Sequence, residues 1–213
     1  MGSPTRFFLN ILRPSMKIVF VRHGELEGEN SNILHAIDDS VSLSKKSRET
    51  MISLSSILKN LDIGMVISSP EIRTKESAEI IAKKLSRPVQ YMNELQGRKW
   101  GDFAGKSWDE VRDILSTKTL EERYAFIPPQ GESWKQFESR ILDALHKIAR
   151  NFSLAETSKN ICIVSHGSAI RVLLPKIFGI PVEESLHVYP EYGSISVVEY
   201  DGHKYTSPVF NKT

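Results

Sequence analysis

Two histidines and two arginines stand at or just after the ends of three apolar runs in this sequence, namely Arg22, His23, Arg73 and His166. The runs begin at Lys17, Gly64 and Ile161. In an open α/β sheet, ligands bind in the crevice beyond the carboxyl ends of the strands, so we expect the four side chains to meet at one edge of one sheet. Arginine presents a planar fork of donors that matches phosphate oxygens. The pattern therefore predicts a site for a dianionic phosphoryl group.

The same pattern does not favour a metal centre. His23 and His166 lie far apart in the sequence, and no carboxylate or cysteine cluster with ligand spacing accompanies them. Arg22 and Arg73 would repel a divalent cation. We therefore expect neither a metal nor an organic cofactor.

Hydrophobic patterning predicts the strands and helices that must position these side chains. Strands are predicted near residues 17–21, 65–68, 88–92, 161–165 and 195–200, the last of which is expected to complete the sheet. Helices are predicted near residues 44–61, 71–85, 107–115, 120–124, 133–152 and 168–178. Residues 18–21 are continuously apolar and rich in β-branched side chains, as is typical of a parallel strand buried on both faces. The order of these elements predicts an α/β fold.

Length and charge limit the class of protein. The chain has 213 residues, of which 40% are hydrophobic, and we expect a single domain over residues 16–213. Its 28 basic and 26 acidic residues leave a net charge of +2, which gives no support for binding nucleic acid or a membrane. Cys162 is the one cysteine and lies inside an apolar run, so we expect a buried, inert thiol that is compatible with a cytoplasmic location.

Residues 1–15 are set apart from this domain. They contain Arg6 and Arg13 but no acidic residue, and their apolar patch is too short for a secretory core or a membrane span. Met16, immediately before the first predicted strand, has the position of a natural start. We interpret residues 1–15 as an upstream extension or as residues left from cloning, with organelle targeting as an alternative.

Five motifs together give the chain a resemblance to a known family. They are Arg22-His23-Gly24, the run from Ser68 to Arg73, Gly131-Glu132-Ser133, Ser165-His166-Gly167 and the closing segment 193–202. In this order, and over residues 16–202, they resemble the histidine phosphatase superfamily, also called the phosphoglycerate mutase-like family. The resemblance implies a three-layer fold, in which a mostly parallel central sheet lies between helices on both of its faces.

The resemblance also implies a mechanism and a set of site residues. His23 would attack phosphorus and carry the phosphoryl group until water or an acceptor removes it. Arg22, Arg73 and His166 would stabilise charge on the phosphoryl oxygens, and Gly167 would face the substrate from the amino end of a helix. The expected partner is a small phosphorylated substrate, and the sequence leaves the oligomeric state open.

The sequence departs from the family pattern at the general acid. This residue is usually a glutamate four positions before the first glycine of a Gly-x-x-x-Gly pair, and counting back from Gly101 lands on Gly97. Glu94 lies close in sequence, but its side chain would point to the opposite face if residues 93–97 are extended. Replacement of the missing acid by Glu94 remains an alternative.

A second departure concerns the asparagine that usually follows the Arg-His-Gly motif. Its place is held by Glu29, whose carboxylate would repel phosphate, and Asn30 comes one residue later. A one-residue bulge would bring Asn30 into the substrate-binding site. The remaining histidines have no partner pattern and are interpreted as surface or loop residues; they are His35, His146, His187 and His203.

Three functions are compatible with these observations. A phosphomonoester hydrolase is favoured, because the chain is short and lacks the long extra segments with which the mutases of the family close over their substrate. A phosphoglycerate-type mutase is the alternative, since Arg98-Lys99 or Arg123 would be able to hold a substrate carboxylate. A phospho-ligand binding protein without turnover is suggested by Gly97 and Glu29.

Overall fold

The computed structural model describes residues 15–30, 32–154, 159–181, 184 and 189–212. The prediction for residues 1–15 therefore lies, apart from Ser15, outside the described residues. The same holds for the prediction on His187.

The described strands form one sheet. They are β1 (Met16–Arg22), β2 (Ile63–Ser68), β3 (Val89–Tyr91), β4 (Asn160–Ser165), β5 (Ile195–Tyr200) and β6 (Tyr205–Lys212). Their order across the sheet is β3-β2-β4-β1-β5-β6. The first four of these strands pair in parallel, whereas β5 pairs antiparallel with both β1 and β6. The expected mostly parallel sheet is thereby confirmed.

The α-helices begin and end close to the predicted residues. They are α1 (Lys45–Leu58), α2 (Ile72–Leu85), α3 (Trp108–Ile114), α4 (Leu120–Ala125), α5 (Trp134–Leu154) and α6 (Gly167–Ile177). Ser133, the residue before α5, caps this helix, because its hydroxyl accepts a hydrogen bond from the backbone N–H of Gln136 at 3.0 Å. Among the described residues, no helix combines the length and the apolar character that crossing a bilayer requires.

Two hydrophobic clusters cover the two faces of the sheet. In β1, Ile18 and Phe20 pack into the cluster formed with α5 and α6, whereas Val19 and Val21 pack into the cluster formed with α1 and α2. All four side chains are buried because successive residues of a strand point to opposite faces. The predicted three layers are confirmed. Cys162 lies in the second cluster, where burial raises the pKa of its thiol to about 12.

The sheet extends one strand beyond the prediction. β6 pairs antiparallel with β5, with register shifts along the pair, so the expectation that residues 195–200 complete the sheet is wrong. The run 205–212 contains Pro208, and a proline removes a backbone donor and argues against a strand assignment except at an edge. β6 is such an edge strand.

Candidate active site

The carboxyl ends of β1, β2 and β4 lie side by side at one edge of the sheet. Parallel pairing sets Arg22 beside Ser165 and Ser68 beside Val164. The chain then continues from β1 into His23, whose backbone N–H donates to the carbonyl of Ser165 at 3.0 Å. The rings of His23 and His166, which directly follow β1 and β4, have their centroids 5.3 Å apart. The structure therefore brings the two histidines together as predicted.

His23 is held in one orientation and one tautomer. Its Nδ1 lies 2.8 Å from the carbonyl oxygen of Gly24. A carbonyl oxygen only accepts, so Nδ1 carries the ring proton and Nε2 keeps its lone pair. The backbone N–H of Gly24 in turn donates to the hydroxyl of Ser77 in α2 at 3.1 Å. His23 is thus a fixed imidazole whose Nε2 is available as a nucleophile.

The surroundings of His23 keep this imidazole neutral. Its burial holds the pKa of His23 well below the ordinary value, and the positive charges of Arg73 and Arg22 lower the pKa further. The two arginines alone predict this direction from the sequence. The structure adds burial as the larger cause, since His23 is 6% exposed.

Arg22 is fixed on three sides and retains a donor. One terminal nitrogen donates to the carbonyl of Pro190 at 2.6 Å, and the guanidinium carbon lies 3.6 Å from the ring centroid of Tyr192. Gly167 packs so closely that an added Cβ would lie 3.1 Å from Nε of Arg22. Within the part of the chain that the structure describes, this buried Nε has no hydrogen-bond partner. A buried donor without a partner is suited to an incoming anion.

Arg73 joins the same cluster from α2. It is the second residue of that helix and is 5% exposed. Its Nε donates to Nδ1 of His166 at 3.4 Å, and a terminal nitrogen donates to the carbonyl of Ala36 at 3.3 Å. His166 is the residue before α6 and is 4% exposed, so Gly167 places the amino end of α6 at the cluster. The structure thus brings Arg22, His23, Arg73 and His166 to one edge of the sheet, and Gly167 lies beside Arg22.

A buried carboxylate in the cluster escaped the sequence analysis. Glu71 precedes α2, and its Oε2 lies 2.5 Å from Nε2 of His166 and 2.5 Å from the hydroxyl of Ser69. Its Oε1 accepts from Arg73 and from the backbone N–H of Gly97, both at 3.1 Å. Burial raises the pKa of Glu71, but its interactions with His166, Arg73 and Ser69 outweigh this effect and hold the pKa at about 2. The available signal was an acidic residue inside the motif that ends at Arg73.

Gly97 faces the site, whereas Glu94 does not. A Cβ at position 97 would lie 3.3 Å from Oε1 of Glu71 and 3.4 Å from the ring of His166. Residues 93–95 form a 3₁₀ turn rather than an extended segment. The carboxylate of Glu94 is 47% exposed and pairs with Lys147 at 3.6 Å. The structure therefore does not bring Glu94 to the cluster of histidines.

Asn30 also stays outside the cluster, and no bulge brings it in. It is exposed, and its side-chain oxygen accepts from the backbone N–H of Asn32 at 3.1 Å. Glu29 turns inward instead, with a side chain 3% exposed and Oε1 3.0 Å from Nε2 of His35. Nδ1 of His35 lies 2.8 Å from Asp39, so this histidine bridges two carboxylates that the sequence pattern does not reveal. These contacts, with Glu29 first, raise the pKa of His35.

Tyr192 is a second residue of the site that sequence reasoning missed. Its ring centroid lies 5.5 Å from that of His23, and its face covers the guanidinium of Arg22. Burial raises the pKa of Tyr192 to about 12, so its hydroxyl is protonated at neutral pH. A single tyrosine before Gly193 carries no distinctive spacing, which is why the sequence did not point to it.

The arginines proposed to hold a substrate carboxylate have structural partners. The guanidinium of Arg98 lies 4.2 Å from the ring centroid of Trp100 and 4.6 Å from that of Trp134, and its Nε donates to the carbonyl of Glu132. Arg123 donates to two backbone carbonyls at the amino end of α4, those of Lys118 and Ser116. Neither arginine contacts the cluster of histidines within the described part of the chain.

The chain is similar to known proteins over almost its whole length. It is 24% identical over 204 residues to an adenosylcobalamin/alpha-ribazole phosphatase of Escherichia coli strain K12, covering 92% of this chain and 96% of that protein. It is 29% identical to the probable phosphoglycerate mutase GpmB of Erwinia tasmaniensis, covering 87% and 85%. A mycobacterial glucosyl-3-phosphoglycerate phosphatase has the same fold, with a TM-score of 0.77 at 17% identity and coverage of 93% and 100%. The profile of the histidine phosphatase superfamily, branch 1, matches residues 18–213, and the chain belongs to that superfamily.

Proposed function

We propose that this protein is a phosphomonoester hydrolase that acts on a small phosphorylated metabolite through a phosphohistidine at His23. The observation that carries the proposal is the state of the His23 ring. Nδ1 is committed to the carbonyl of Gly24, and Nε2 is left with its lone pair among cationic side chains. This is the arrangement that a nucleophile needs to attack the phosphorus of an anion.

The surrounding groups support the transfer of a phosphoryl group. Nε of Arg22 and the guanidinium of Arg73 would bind the equatorial oxygens and stabilise the charge that they carry in the transition state. Charged hydrogen bonds of this kind are worth roughly 1.5 to 3 kcal/mol each. Bound phosphate would also offset the repulsion that depresses the pKa of His23, and it would fix the ester close to Nε2.

A hydrolase is favoured over a mutase by the contacts of Arg98 and Arg123. Arg98 packs against two tryptophan rings and Arg123 donates to backbone carbonyls, and in the described part of the chain neither contacts the histidine cluster, where a phosphate ester would bind. Lys99 is exposed and is the remaining group of this alternative that would hold a substrate carboxylate. The named relatives include both phosphatases and mutases, so the family alone does not separate the two reactions.

The test is a panel of phosphate esters, assayed with and without 2,3-bisphosphoglycerate, together with trapping of the phosphoenzyme. We expect release of inorganic phosphate without the bisphosphate, and acid-labile, base-stable label on the wild-type protein. The label should be absent from His23→Ala and present in His203→Ala, which changes an exposed loop histidine. Isomerisation that depends on the bisphosphate would identify a mutase, and binding of phosphate without turnover of any ester would identify a binding protein.

A further inference from the structure

The two nitrogen atoms of His166 face different surroundings. Nε2 faces the carboxylate of Glu71 at 2.5 Å and the hydroxyl of Ser69 at 3.1 Å. Nδ1 faces Nε of Arg73 at 3.4 Å and the space beside Gly97, where a Cβ would lie 3.4 Å away. Nε2 therefore contacts an anion, Glu71, whereas Nδ1 borders Gly97, the position at which the family usually has its acidic residue.

These contacts define the proton positions in the free site. Arg73 can only donate, so Nδ1 accepts and is unprotonated, and the ring proton lies on Nε2 toward Glu71. The carboxylate of Glu71 is fully hydrogen-bonded by Arg73, Ser69, Gly97 and His166. It is also buried, with the side chain 1% exposed, so it cannot turn toward solvent without leaving its partners unpaired. Glu71 is thus a fixed anion behind the imidazole.

We propose that Glu71 and His166 form a carboxylate–imidazole dyad. The dyad supplies the proton that, in the absence of a glutamate at position 97, the leaving group lacks. In this dyad His166 is a catalytic residue, because Nδ1 borders the reacting group. Glu71 is a positioning residue that fixes the tautomer of the ring and balances its charge when Nδ1 takes up a proton. This inference deepens the proposed hydrolase function and rests on it.

The proton count of the dyad closes over both steps. On binding of the dianionic ester, Nδ1 of His166 takes up one proton from solvent. Nε2 of His23 then forms a bond to phosphorus, the ester P–O bond breaks, and the leaving oxygen receives the proton from Nδ1 and departs as the alcohol. A water molecule next attacks phosphorus and gives its proton to Nδ1, while the P–N bond breaks and its electron pair returns to His23.

The charges around His166 explain why the proton arrives only with substrate. Arg22 at the end of β1, His23 directly after it and Arg73 of α2 lie near the ring, and Glu71 is its anionic partner. In the free site, burial and the two arginines lower the pKa of His166 despite the opposing effect of Glu71, so the ring is neutral at neutral pH. A phosphate dianion adds negative charge on the Nδ1 side and reverses that balance.

The kinetic test compares leaving groups in Glu71→Gln and Glu71→Asp, with Glu79→Gln, an exposed glutamate of α2, as the matched control. An alkyl phosphate needs its leaving oxygen protonated, whereas p-nitrophenolate departs with little protonation. We expect Glu71→Gln to lower kcat on glycerol 3-phosphate by about 100-fold or more, and on p-nitrophenyl phosphate by less than about 10-fold. Glu71→Asp should recover part of the alkyl activity. An equal loss on both esters, or no loss on either, would overturn the dyad.

A second measurement tests the dyad in the wild-type protein. It remains valid if Glu71→Gln folds poorly or if the wild type hydrolyses no ester. The ¹⁵N signals of His166 in the wild type, identified with His166→Asn, are followed while inorganic phosphate is added at pH 7. We expect one protonated nitrogen in the free protein and two in the phosphate complex, with uptake of one proton. A ring that stays neutral when phosphate is bound refutes the proposal. Absence of ester turnover, with a protonated ring, refutes only the hydrolase function.

Discussion

A Cβ atom on Gly167 would lie 3.1 Å from Nε and 3.2 Å from the guanidinium carbon of Arg22. Gly167 is the first residue of α6, where alanine has the higher helix propensity. Sterics and propensity therefore act in opposite directions at this position. Gly167 therefore allows Arg22, at the end of β1, to lie against α6, the helix that follows β4.

We predict that Gly167→Ala weakens phosphate binding without destabilising the fold. The new methyl group would displace the Arg22 guanidinium. The loss of one charged hydrogen bond, worth roughly 1.5 to 3 kcal/mol, lowers the affinity for phosphate by about ten-fold or more. Calorimetric titration with phosphate, alongside thermal unfolding, measures both effects. Unchanged affinity in Gly167→Ala would show that Arg22 does not bind the anion.

Removal of Arg73 should weaken the binding of phosphate and vanadate by about ten-fold or more. Its guanidinium donates to His166 and to Glu71 within the cluster. We expect Arg73→Ala to lose the binding and Arg73→Lys to restore only part, since lysine lacks the planar fork. Arg123→Ala is the matched control. Equal affinity in Arg73→Ala and wild type would mean that the strand ends do not form the phosphate site.

His23 should remain neutral at pH values where an exposed histidine is already charged. Its burial and the nearby positive groups hold its pKa well below about 6.5. The unfolded chain protonates this residue near pH 6.5 and the folded chain does not, so the folded state loses stability as the pH falls below that value. His23→Ala removes this contribution, so its free energy of unfolding should decrease less as the pH falls.

An NMR titration of the ring carbons tests the same point directly, with the His23 signal identified by its absence from His23→Ala. We expect no titration of this signal between pH 8 and pH 6. A midpoint at or above 6.5 would contradict the argument that the site keeps its nucleophile neutral.

The placement of the histidine and arginine cluster could be predicted from the sequence because it depends on strand ends. Arg22, His23 and His166 follow continuous apolar runs, and parallel strands bring their carboxyl ends to one edge. Glu71 could not be placed in this way. It follows β2 by three residues, and the turn before α2 decides whether its carboxylate points to the site or caps the helix. In the structure it makes no capping bond and points to His166.

Other features depend on contacts between segments that are distant in the sequence. Tyr192 lies over Arg22 at the end where β5 pairs with β1, and the inward side chain of Glu29 contacts His35 and Tyr192. β6 has no clear alternation and contains a proline, so its pairing is set by β5 rather than by its own pattern. Periodicity predicts elements and their faces, but it does not predict these partners.

Arg140 should be required to hold the segment that carries Gly97. Its guanidinium donates to the carbonyls of Glu94, Gln96 and Gly97 at 2.9 to 3.1 Å, and it pairs with Glu132 at 2.5 Å. Arg140→Met leaves these acceptors unpaired, and we expect a loss of about 2 kcal/mol in the free energy of unfolding. Denaturant unfolding measures this, with the exposed Arg150→Met of the same helix as control, expected to change stability by less than about 0.5 kcal/mol. Equal stability of the two variants would show that the hydrogen bonds of Arg140 do not contribute to the free energy of unfolding.

A glutamate introduced at position 97 should increase the hydrolysis of alkyl phosphates only when Glu71 is removed. The new Cβ would lie 3.3 Å from Oε1 of Glu71, so Gly97→Glu places two buried carboxylates side by side. Like charges at such a distance are unfavourable, and one of them must displace the other or take up a proton. We therefore expect Gly97→Glu alone to weaken phosphate binding and to give no gain on alkyl phosphates. Combined with Glu71→Ala, it should raise alkyl phosphate turnover by about 10² or more over Glu71→Ala alone.

The uncharged Gly97→Gln separates the two causes of that failure. If charge is decisive, Gly97→Gln binds phosphate more tightly than Gly97→Glu, whereas equal weakening in both variants points to steric displacement of His166. Hydrolysis rates for glycerol 3-phosphate and p-nitrophenyl phosphate are measured for each variant and for the double mutant. A clear gain on glycerol 3-phosphate in Gly97→Glu, with Glu71 still present, would show that position 97 and Glu71 serve independent roles and that the dyad of Glu71 and His166 does not already supply the proton.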